Sequence, residues 1–440
     1  MFQLKEHNTD VRTEVLAGIT TFMTMAYILV VNPSLLSNVE GMEFGPLFVA
    51  TALAAIVGTV AMALLANYPF ALAPGMGLNA FFAFSVVLAG KLSWQGALTA
   101  VFIEGIIFII LTFVNVREAL FNVIPMSLKY AVSAGIGLFI AFIGFQGAGI
   151  VINDDATLVT ITKDFTSAPV VLAIIGILLT AYLVIKKVKG SILIGILVTW
   201  VLAMLAEKIG YYVPDFTNTF PAIPAAIVGK IPSISSIAFK FDFAALKNLD
   251  FWIIMLSFLF VDLFDTLGTL IGVSSKAGFL DKEGKLPKAK QALLADAIAT
   301  TAGACFGTST TTTYVESAAG VADGGRTGLT ALTTAALFLI ALPFAPVFAA
   351  IPEFATAPAL IVVGFYMMES VMKIDFNDFR NGIPAFLTII VMPVTYSISE
   401  GIVFGIVSYT VLNATTGKHK EVSPLMYVLS ALFIAKSIFF

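Results

Sequence analysis

The sequence predicts an all-α protein that crosses a membrane many times, and two observations predict this class. First, 59% of the 440 residues are hydrophobic and only 12% are charged, with a mean hydropathy of +0.99. Second, the apolar residues fall into about fourteen segments, most of them close to the roughly 20 residues that a spanning helix needs. A soluble domain could not cover its surface with so few polar groups. The composition therefore excludes a soluble enzyme, a nucleic-acid-binding protein and a disordered chain.

The first half of the chain contains seven predicted segments, and prolines interrupt the third. The basic turn 186–190 separates the sixth segment from the seventh. The seven segments are 14–36, 45–67, 69–87, 95–114, 128–146, 168–185 and 191–205.

The second half repeats this plan after a long mixed stretch, 206–249. Its third segment is again interrupted, and its last two are short. The seven segments are 250–273, 289–306, 308–321, 327–348, 354–371, 383–395 and 398–412. A last apolar stretch, 425–440, predicts a helix on the membrane surface within a C-terminal tail, 416–440, although a fifteenth span stays open.

The placement of positive charge predicts that both termini lie in the cytoplasm. When the spans are counted from a cytoplasmic N-terminus, most Lys and Arg residues fall on that side, including the lysine-rich loop 276–290, Arg117 and Lys129. Two termini on one side require an even number of spans, which fourteen satisfies. The single cysteine, Cys305, excludes an intramolecular disulfide.

The matching positions of the two interrupted segments predict an inverted repeat. Seven spans are an odd number, so the second half must run through the membrane in the opposite sense. In transporters of this design the substrate binds where the broken helices meet. The alternative is a pair of kinked helices with a packing role only.

The third segment predicts a helix end that points at this meeting place. Pro69 and Pro74 forbid a continuous helix, so a helix begins near Pro74 or Gly75 and its first N–H groups face the break. Gly75 and Gly77 would let a ligand approach the backbone, and Asn79 adds a side-chain donor and acceptor.

The tenth segment carries an unbroken run of hydroxyl residues, 308–313, which ends at Thr313. Such a run favours a short strand over a helix. We expect a short helix to begin near Tyr314, which would place Glu316 in its first turn. That carboxylate could then face the break.

Carboxylic acids at membrane depth are the remaining candidates. Asp262 and Asp265 are three residues apart and so share one helix face, and Thr266 extends the polar stripe. Asp296 could support this pair or merely stabilise a kink. No histidine lies in a predicted span, and no basic residue is expected near the breaks. This favours a proton or sodium ion as coupling ion over an anion pathway, and no metal or cofactor is predicted.

Three motifs, 73–81, 262–266 and 307–326, together resemble one family. This family is that of the nucleobase:cation symporter-2 transporters, in particular the AzgA-like branch of guanine/hypoxanthine permeases. The resemblance covers nearly the whole chain, including the run 25–28 in the first span and the tail. It implies the uracil-permease-type fold of fourteen segments in two inverted repeats, with short strands and half-helices at segments 3 and 10. It also implies import of purine bases such as hypoxanthine, guanine or adenine across the plasma membrane.

The resemblance implies a division into two domains. A core would comprise 14–115 (segments 1–4) and 250–350 (segments 8–11). A gate would comprise 127–206 (segments 5–7) and 354–415 (segments 12–14) and would form the contact of a homodimer. The core would slide past the gate as an elevator.

The resemblance also assigns roles to site residues. Asp262 and Glu316 would bind the purine, with the backbone of Tyr314 and Val315 beside it. Asp265 would support the site or the coupling ion. Uracil permeases carry a histidine where this chain has Thr266, so a histidine-centred proton relay cannot be transferred.

Three other functions stay open at this point. One is transport of an anion such as sulfate or bicarbonate on the same fold. Another is a membrane-embedded enzyme that uses Asp262, Asp265 and Glu316. The third is a channel, which would conduct fast and without coupling.

Overall fold

The computed structural model describes residues 2–113, 124–214, 221–281 and 286–439. The predicted end of segment 4 at 114–115, Arg117, Lys282, Lys285 and residue 440 lie outside the described residues. Within the described ranges, nine helices are long and apolar enough to cross a membrane. The all-α membrane fold is thereby confirmed, while the exact number of crossings stays a prediction.

In the described residues of the first half there are eight α-helices, a central strand and a peripheral hairpin. Turns of π-helix extend α3 through Met62–Ala66 and α4 through Phe81–Leu88. The elements are α1 Val11–Met25, α2 Ile28–Leu36, α3 Phe44–Ala61, β1 Leu72–Pro74, α4 Met76–Ala80, α5 Trp94–Phe113, α6 Met126–Gly147, β2 Val151–Asp154, β3 Leu158–Ile161, α7 Ala168–Ile185 and α8 Ser191–Lys208.

The second half repeats the order, with a single strand again before a short helix. Turns of 3-10 helix follow α12 and α14. The elements are α9 Leu249–Ala277, α10 Ala289–Phe306, β4 Thr311–Thr313, α11 Ser317–Ala322, α12 Gly328–Ala341, α13 Ala345–Ala349, α14 Glu353–Met368, α15 Phe379–Thr395, α16 Ile398–Thr415 and α17 Pro424–Phe439.

A helix or a broken helix occupies each predicted segment, and the sixth and ninth agree at both ends. The first segment differs, because it consists of two helices that meet at a turn of Ala26 and Tyr27. The predicted tail helix is α17, which packs against α16. The hairpin of β2 and β3 has no counterpart among the predictions.

The predicted start of the short helix in segment 10 is wrong, and the helix of segment 13 begins at Phe379 rather than at residue 383. The short helix of segment 10 begins at Ser317 rather than near Tyr314. The reason is that the backbone N–H of Tyr314 still donates to the carbonyl of Ala71, at 2.9 Å, and so continues the strand pairing. Glu316 consequently occupies the N-cap of α11 instead of its first turn.

The helices pack in two groups. Helices α1, α12, α3, α10 and α5 are in contact successively in that order, and α9 joins them through α5 and α11. Helices α6, α7, α8, α14, α15 and α16 form the second group. The domain boundaries that the resemblance implies stay a prediction.

A buried carboxylate joins the two halves within the first group. Glu14 of α1 is fully buried, and it accepts backbone hydrogen bonds from Arg326, Thr327 and Thr330 at 3.0, 3.2 and 3.2 Å. The Thr330 hydroxyl donates to the same carboxylate at 2.6 Å. These N–H groups belong to the start of α12, where a helix has unpaired donors and favours negative charge. Glu14 is therefore a structural acid.

Candidate functional site: the crossing of the two broken segments

The two broken segments meet as a pair of antiparallel strands. Leu72, Ala73 and Pro74 of β1 lie opposite Thr313, Thr312 and Thr311 of β4. The backbone N–H of Gly75 donates to the carbonyl of Thr310 at 2.9 Å and thus extends the ladder. Every backbone polar group at membrane depth needs a partner, and a second strand supplies such partners to an extended segment. Each broken segment therefore completes the other.

Side chains fix this crossing from both sides. The Tyr314 hydroxyl donates to the carbonyl of Pro74 at 2.6 Å, and the backbone N–H of Ala71 donates to the Ser317 hydroxyl at 3.0 Å. The Ser309 hydroxyl donates to the amide oxygen of Asn79. Asn79 therefore joins the two breaks.

A polar cluster lies behind the strands, between α9 and α10. The Thr266 hydroxyl oxygen is 3.0 Å from Oδ1 of Asp262, 3.0 Å from Oδ1 of Asp296 and 2.9 Å from the hydroxyl oxygen of Thr312. All four side chains are buried. Thr312 belongs to β4, so the cluster connects two acids to the crossing itself.

Two adjoining cavities lie on the other side of the crossing. The smaller, of about 220 Å³, is lined by residues that include Gly77, Lys129 and Asp265. The larger, of about 770 Å³, is lined by residues that include Asp265 and Glu316. Asp265 thus belongs to both. Further residues common to both are Ser133, Thr269, Met367 and Ser370.

The larger cavity extends from the crossing to the basic turn between α7 and α8. Lys187, Lys189 and Gly190 of that turn line it. Lys189 forms a salt bridge with Asp323, which follows α11, and Asp323 also accepts a 2.6 Å hydrogen bond from Thr20 of α1. This ion pair connects the two groups of helices at the mouth of the cavity.

Glu316 is held by α1 and by the turn that follows it. The Tyr27 hydroxyl donates to Oε1 of Glu316 at 2.6 Å, and the Thr24 hydroxyl lies 3.4 Å from the Glu316 carbonyl oxygen. Sequence reasoning did not select either residue. The only signal was the run 25–28 in the first span, which contributed to the resemblance without a role.

The predicted site residues separate into two sets. Four of them, Gly77, Asp265, Val315 and Glu316, line one or both cavities. The others are buried within or behind the crossing, and these are Gly75, Asn79, Asp262, Thr266, Asp296, Thr313 and Tyr314.

The two glycines serve packing as well as access. A Cβ on Gly75 would lie 2.7 Å from Cγ2 of Thr312, and a Cβ on Gly77 would lie 2.5 Å from Cγ2 of Ile136. Both contacts are too short for a side chain. The glycines therefore let β4 and α6 pack against the start of α4.

The expectation that no basic residue lies near the breaks is wrong. Lys129 of α6 is only 7% exposed and lines the smaller cavity together with Asp265. The positive-inside rule had assigned it to the cytoplasmic surface. Its position in the first turn of a helix, shortly after Pro125, gave no sign of burial.

Comparison with known proteins shows the family of the chain. Residues 12–404 match the family model Xan_ur_permease, described as "Permease family". The chain is 46% identical to "Guanine/hypoxanthine permease PbuO" of Bacillus subtilis over 437 residues, covering 98% of each chain. It is 42% identical to "Adenine permease AdeP" of Escherichia coli over 439 residues, covering 100% of this chain and 95% of that one.

Among solved structures, the transmembrane domain of the cyanobacterial bicarbonate transporter BicA is similar in fold. The TM-score is 0.64 at 13% identity, over 90% of this chain and 97% of that domain. At so low an identity the likeness concerns the fold alone. The family match and the two relatives show that this multi-pass membrane protein is a permease and not an enzyme, and that it belongs to the Xan_ur_permease family, the nucleobase:cation symporter-2 transporters that its motifs resemble.

Proposed function

We propose that the protein imports purine bases, such as hypoxanthine, guanine and adenine, across the plasma membrane. The observation that carries the proposal is that Asp265 and Glu316 line one cavity of about 770 Å³ beside the crossing of the broken segments. That volume lies within the range of small-molecule sites. The names of the relatives, which are guanine/hypoxanthine and adenine permeases, support the substrate class.

The chemistry of the cavity suits a purine. A purine base is flat and neutral, and its N–H groups need acceptors that carboxylates supply. Val315, half exposed beside Glu316, offers an apolar contact to the ring. A site built on buried acceptors rejects ligands that leave those acceptors unpaired, which is the expected basis for rejecting uracil.

We place the purine between Asp265 and Glu316, and Asp262 in the polar cluster on the other side of the crossing. The resemblance assigns the substrate to Asp262, but Asp262 is fully buried against Thr266, whereas Asp265 lines both cavities. We therefore assign Asp262 and Asp296 to the coupling ion, most simply a proton. Their shared hydroxyl partner is the supporting observation.

We further propose an elevator movement of the core, 14–115 and 250–350, against the gate, 127–206 and 354–415, in a homodimer with cytoplasmic termini. The two packing groups and the ion pair of Lys189 and Asp323 between them support this division. With the basic turn on the cytoplasmic side, the larger cavity opens inward.

The second candidate is transport of an anion such as sulfate or bicarbonate on the same fold. The two acids at the cavity argue against it, because negative side chains repel an anion. Lys129 in the smaller cavity and Lys187 and Lys189 in the larger one favour it.

The test is uptake of labelled hypoxanthine by proteoliposomes, with and without an inward proton gradient. We expect gradient-driven accumulation that guanine or adenine competes with and uracil does not. Accumulation driven only by a sodium gradient would identify sodium as the coupling ion and leave the purine assignment unchanged. No purine uptake under either gradient, together with uptake of bicarbonate or sulfate, would establish the second candidate.

A further inference from the structure

The inference concerns Tyr27, which lies at the turn between α1 and α2. Its side chain is 1% exposed, and its hydroxyl donates to Oε1 of Glu316 at 2.6 Å. It lies behind Glu316, since Glu316 and Thr24 line the larger cavity whereas Tyr27 is not among the lining residues of either described cavity. Tyr27 therefore acts on the site through Glu316.

The local backbone accounts for this placement. The N–H groups of Leu29 and Val30 bond to the carbonyls of Ala26 and Tyr27, three residues earlier, at 3.1 and 3.0 Å. Such tightening from α-helix to 3-10 geometry marks a change in helix direction. The Glu316 carbonyl oxygen lies 3.4 Å from the Thr24 hydroxyl, one turn before Tyr27. The end of α1 thus contacts both the backbone and the carboxyl group of Glu316.

The hydrogen bond divides the two carboxyl oxygens of Glu316 between two tasks. A phenol carries a single hydrogen and donates it to Oε1, so Oε1 is an acceptor in either charge state. A carboxylate oxygen has two lone pairs and the phenol occupies one of those on Oε1, so Oε2 is the oxygen that keeps its full capacity to accept from a purine N–H. If Glu316 takes up a proton while Tyr27 still donates to Oε1, Oε2 can carry that proton and become a donor.

We propose that Tyr27 is the positioning residue of purine recognition: it holds Glu316 so that a single carboxyl oxygen, Oε2, meets the substrate. The inference rests on the proposed function. Without the phenol, the carboxyl group can rotate about its last side-chain torsion, which is soft, and either oxygen can turn away from the cavity. Tyr27 acts across the repeat, since it belongs to the first half and Glu316 to the second.

The experiment replaces Tyr27 by phenylalanine in the full-length protein, which keeps the ring and removes the hydroxyl. We measure hypoxanthine affinity of the purified protein and the KM and maximal rate of uptake into proteoliposomes. Hydrogen bonds to charged groups contribute enough that we expect affinity to fall about tenfold or more. We expect KM to rise with little change in maximal rate, the pattern of a lost binding contact.

The matched control is Tyr68→Phe, which removes the same atom elsewhere. The Tyr68 hydroxyl oxygen accepts from the backbone N–H of Lys288 at 3.2 Å, away from the site. We expect unchanged affinity. Thermal unfolding of both variants shows whether Tyr27→Phe is folded.

A double-mutant cycle separates positioning from a merely structural role. If Tyr27 acts through Glu316, Tyr27→Phe should add little to the loss already caused by Glu316→Gln, because the two changes remove one interaction. Independent, additive losses would overturn the inference, as would wild-type affinity in Tyr27→Phe. Failure of the unaltered protein to bind any purine would instead overturn the proposed function itself, so the two failures are distinguishable.

Discussion

The hydroxyl of Thr266 and the carboxylate of Asp296, on neighbouring helices, lie 3.0 Å apart, and the same hydroxyl lies 3.0 Å from Asp262. A hydroxyl has one hydrogen and so can donate to only one of these carboxylates. Two ionised carboxylates at one hydroxyl would also repel each other. The arrangement therefore favours a state in which one of the two acids is protonated and its O–H group donates a hydrogen bond to the Thr266 oxygen.

Replacing Asp296 by asparagine should uncouple transport from the proton gradient. The asparagine keeps the size of the side chain but cannot release a proton. We expect exchange of labelled for unlabelled hypoxanthine to persist. The hypoxanthine concentration inside the proteoliposomes should, however, rise no higher than the concentration outside. In the unaltered protein, a gradient of one pH unit sustains about tenfold accumulation at one proton per purine.

The control for this experiment is Glu421→Gln, which makes the same chemical change in an exposed ion pair of the tail. Its accumulation should equal that of the unaltered protein. Undiminished accumulation by Asp296→Asn would remove Asp296 from the coupling mechanism.

Asp265→Asn should weaken purine binding, because Asp265 lines both cavities. Loss of a charged acceptor predicts a fall in affinity of about tenfold or more. Asp262→Asn should affect accumulation more than affinity, since Asp262 lies behind the cavity. Equilibrium binding of hypoxanthine compares the two variants, with Asp155→Asn in the hairpin turn as control. The reverse order of effects would restore the assignment that the resemblance gives.

Glu316→Gln should also abolish high-affinity binding. The glutamine amide has one acceptor oxygen and one NH2 group. If the NH2 group faces Tyr27, the phenol O–H loses its acceptor, and if it faces the purine, the purine N–H loses its acceptor. We expect a fall of more than about tenfold in affinity, measured by the same assay. Unchanged affinity would exclude Glu316 from the binding site.

Gly320→Ala should destabilise the protein. A Cβ at Gly320 would lie 2.0 Å from the Thr21 hydroxyl oxygen and 2.6 Å from the Ala17 carbonyl oxygen, so α1 and α11 would have to separate. Overpacking of this kind costs about 1–3 kcal/mol. Thermal unfolding in detergent measures the loss. Gly272→Ala is the matched control, because a Cβ there meets no atom within 4 Å. Equal stability of both variants would contradict the close packing.

Lys189→Ala should shift the protein away from the state in which the larger cavity is open. The pair with Asp323 joins the two helix groups at the mouth of the cavity, but it is partly exposed and worth at most about 1 kcal/mol. Thiol labelling of a cysteine at Ser191, which lines the cavity, measures how open the mouth is. We expect slower labelling, with normal labelling restored by exchanging the two charges. No change in labelling would show that the pair does not bias the movement.

The fold could largely be predicted from the sequence because proline and hydrophobicity act locally. Pro69 and Pro74 and the hydroxyl run at 308–313 located both breaks. The strand register could not be predicted, since it depends on which backbone groups meet across the repeat. The start of α11 was misplaced for the same reason.

The site was only partly predictable. Asp262 and Asp265 are three residues apart, which separates them by about 60° around a helix. That angle is enough to direct one acid at α10 and the other into the cavities. Tyr27 was missed because its turn contains neither proline nor glycine, and the burial of Lys129 depends on tertiary packing alone.

The pairing of β1 with β4 has a consequence for biosynthesis. The two strands begin 239 residues apart, and a ribosome that adds about 5–20 residues per second needs about ten seconds or more to make the second after the first. During that interval β1 lies in or near the bilayer without the backbone partners that β4 supplies, a state that lipid penalises. The newly made first half must therefore be shielded, by the translocon or by water, because the crossing cannot assemble before β4 is made.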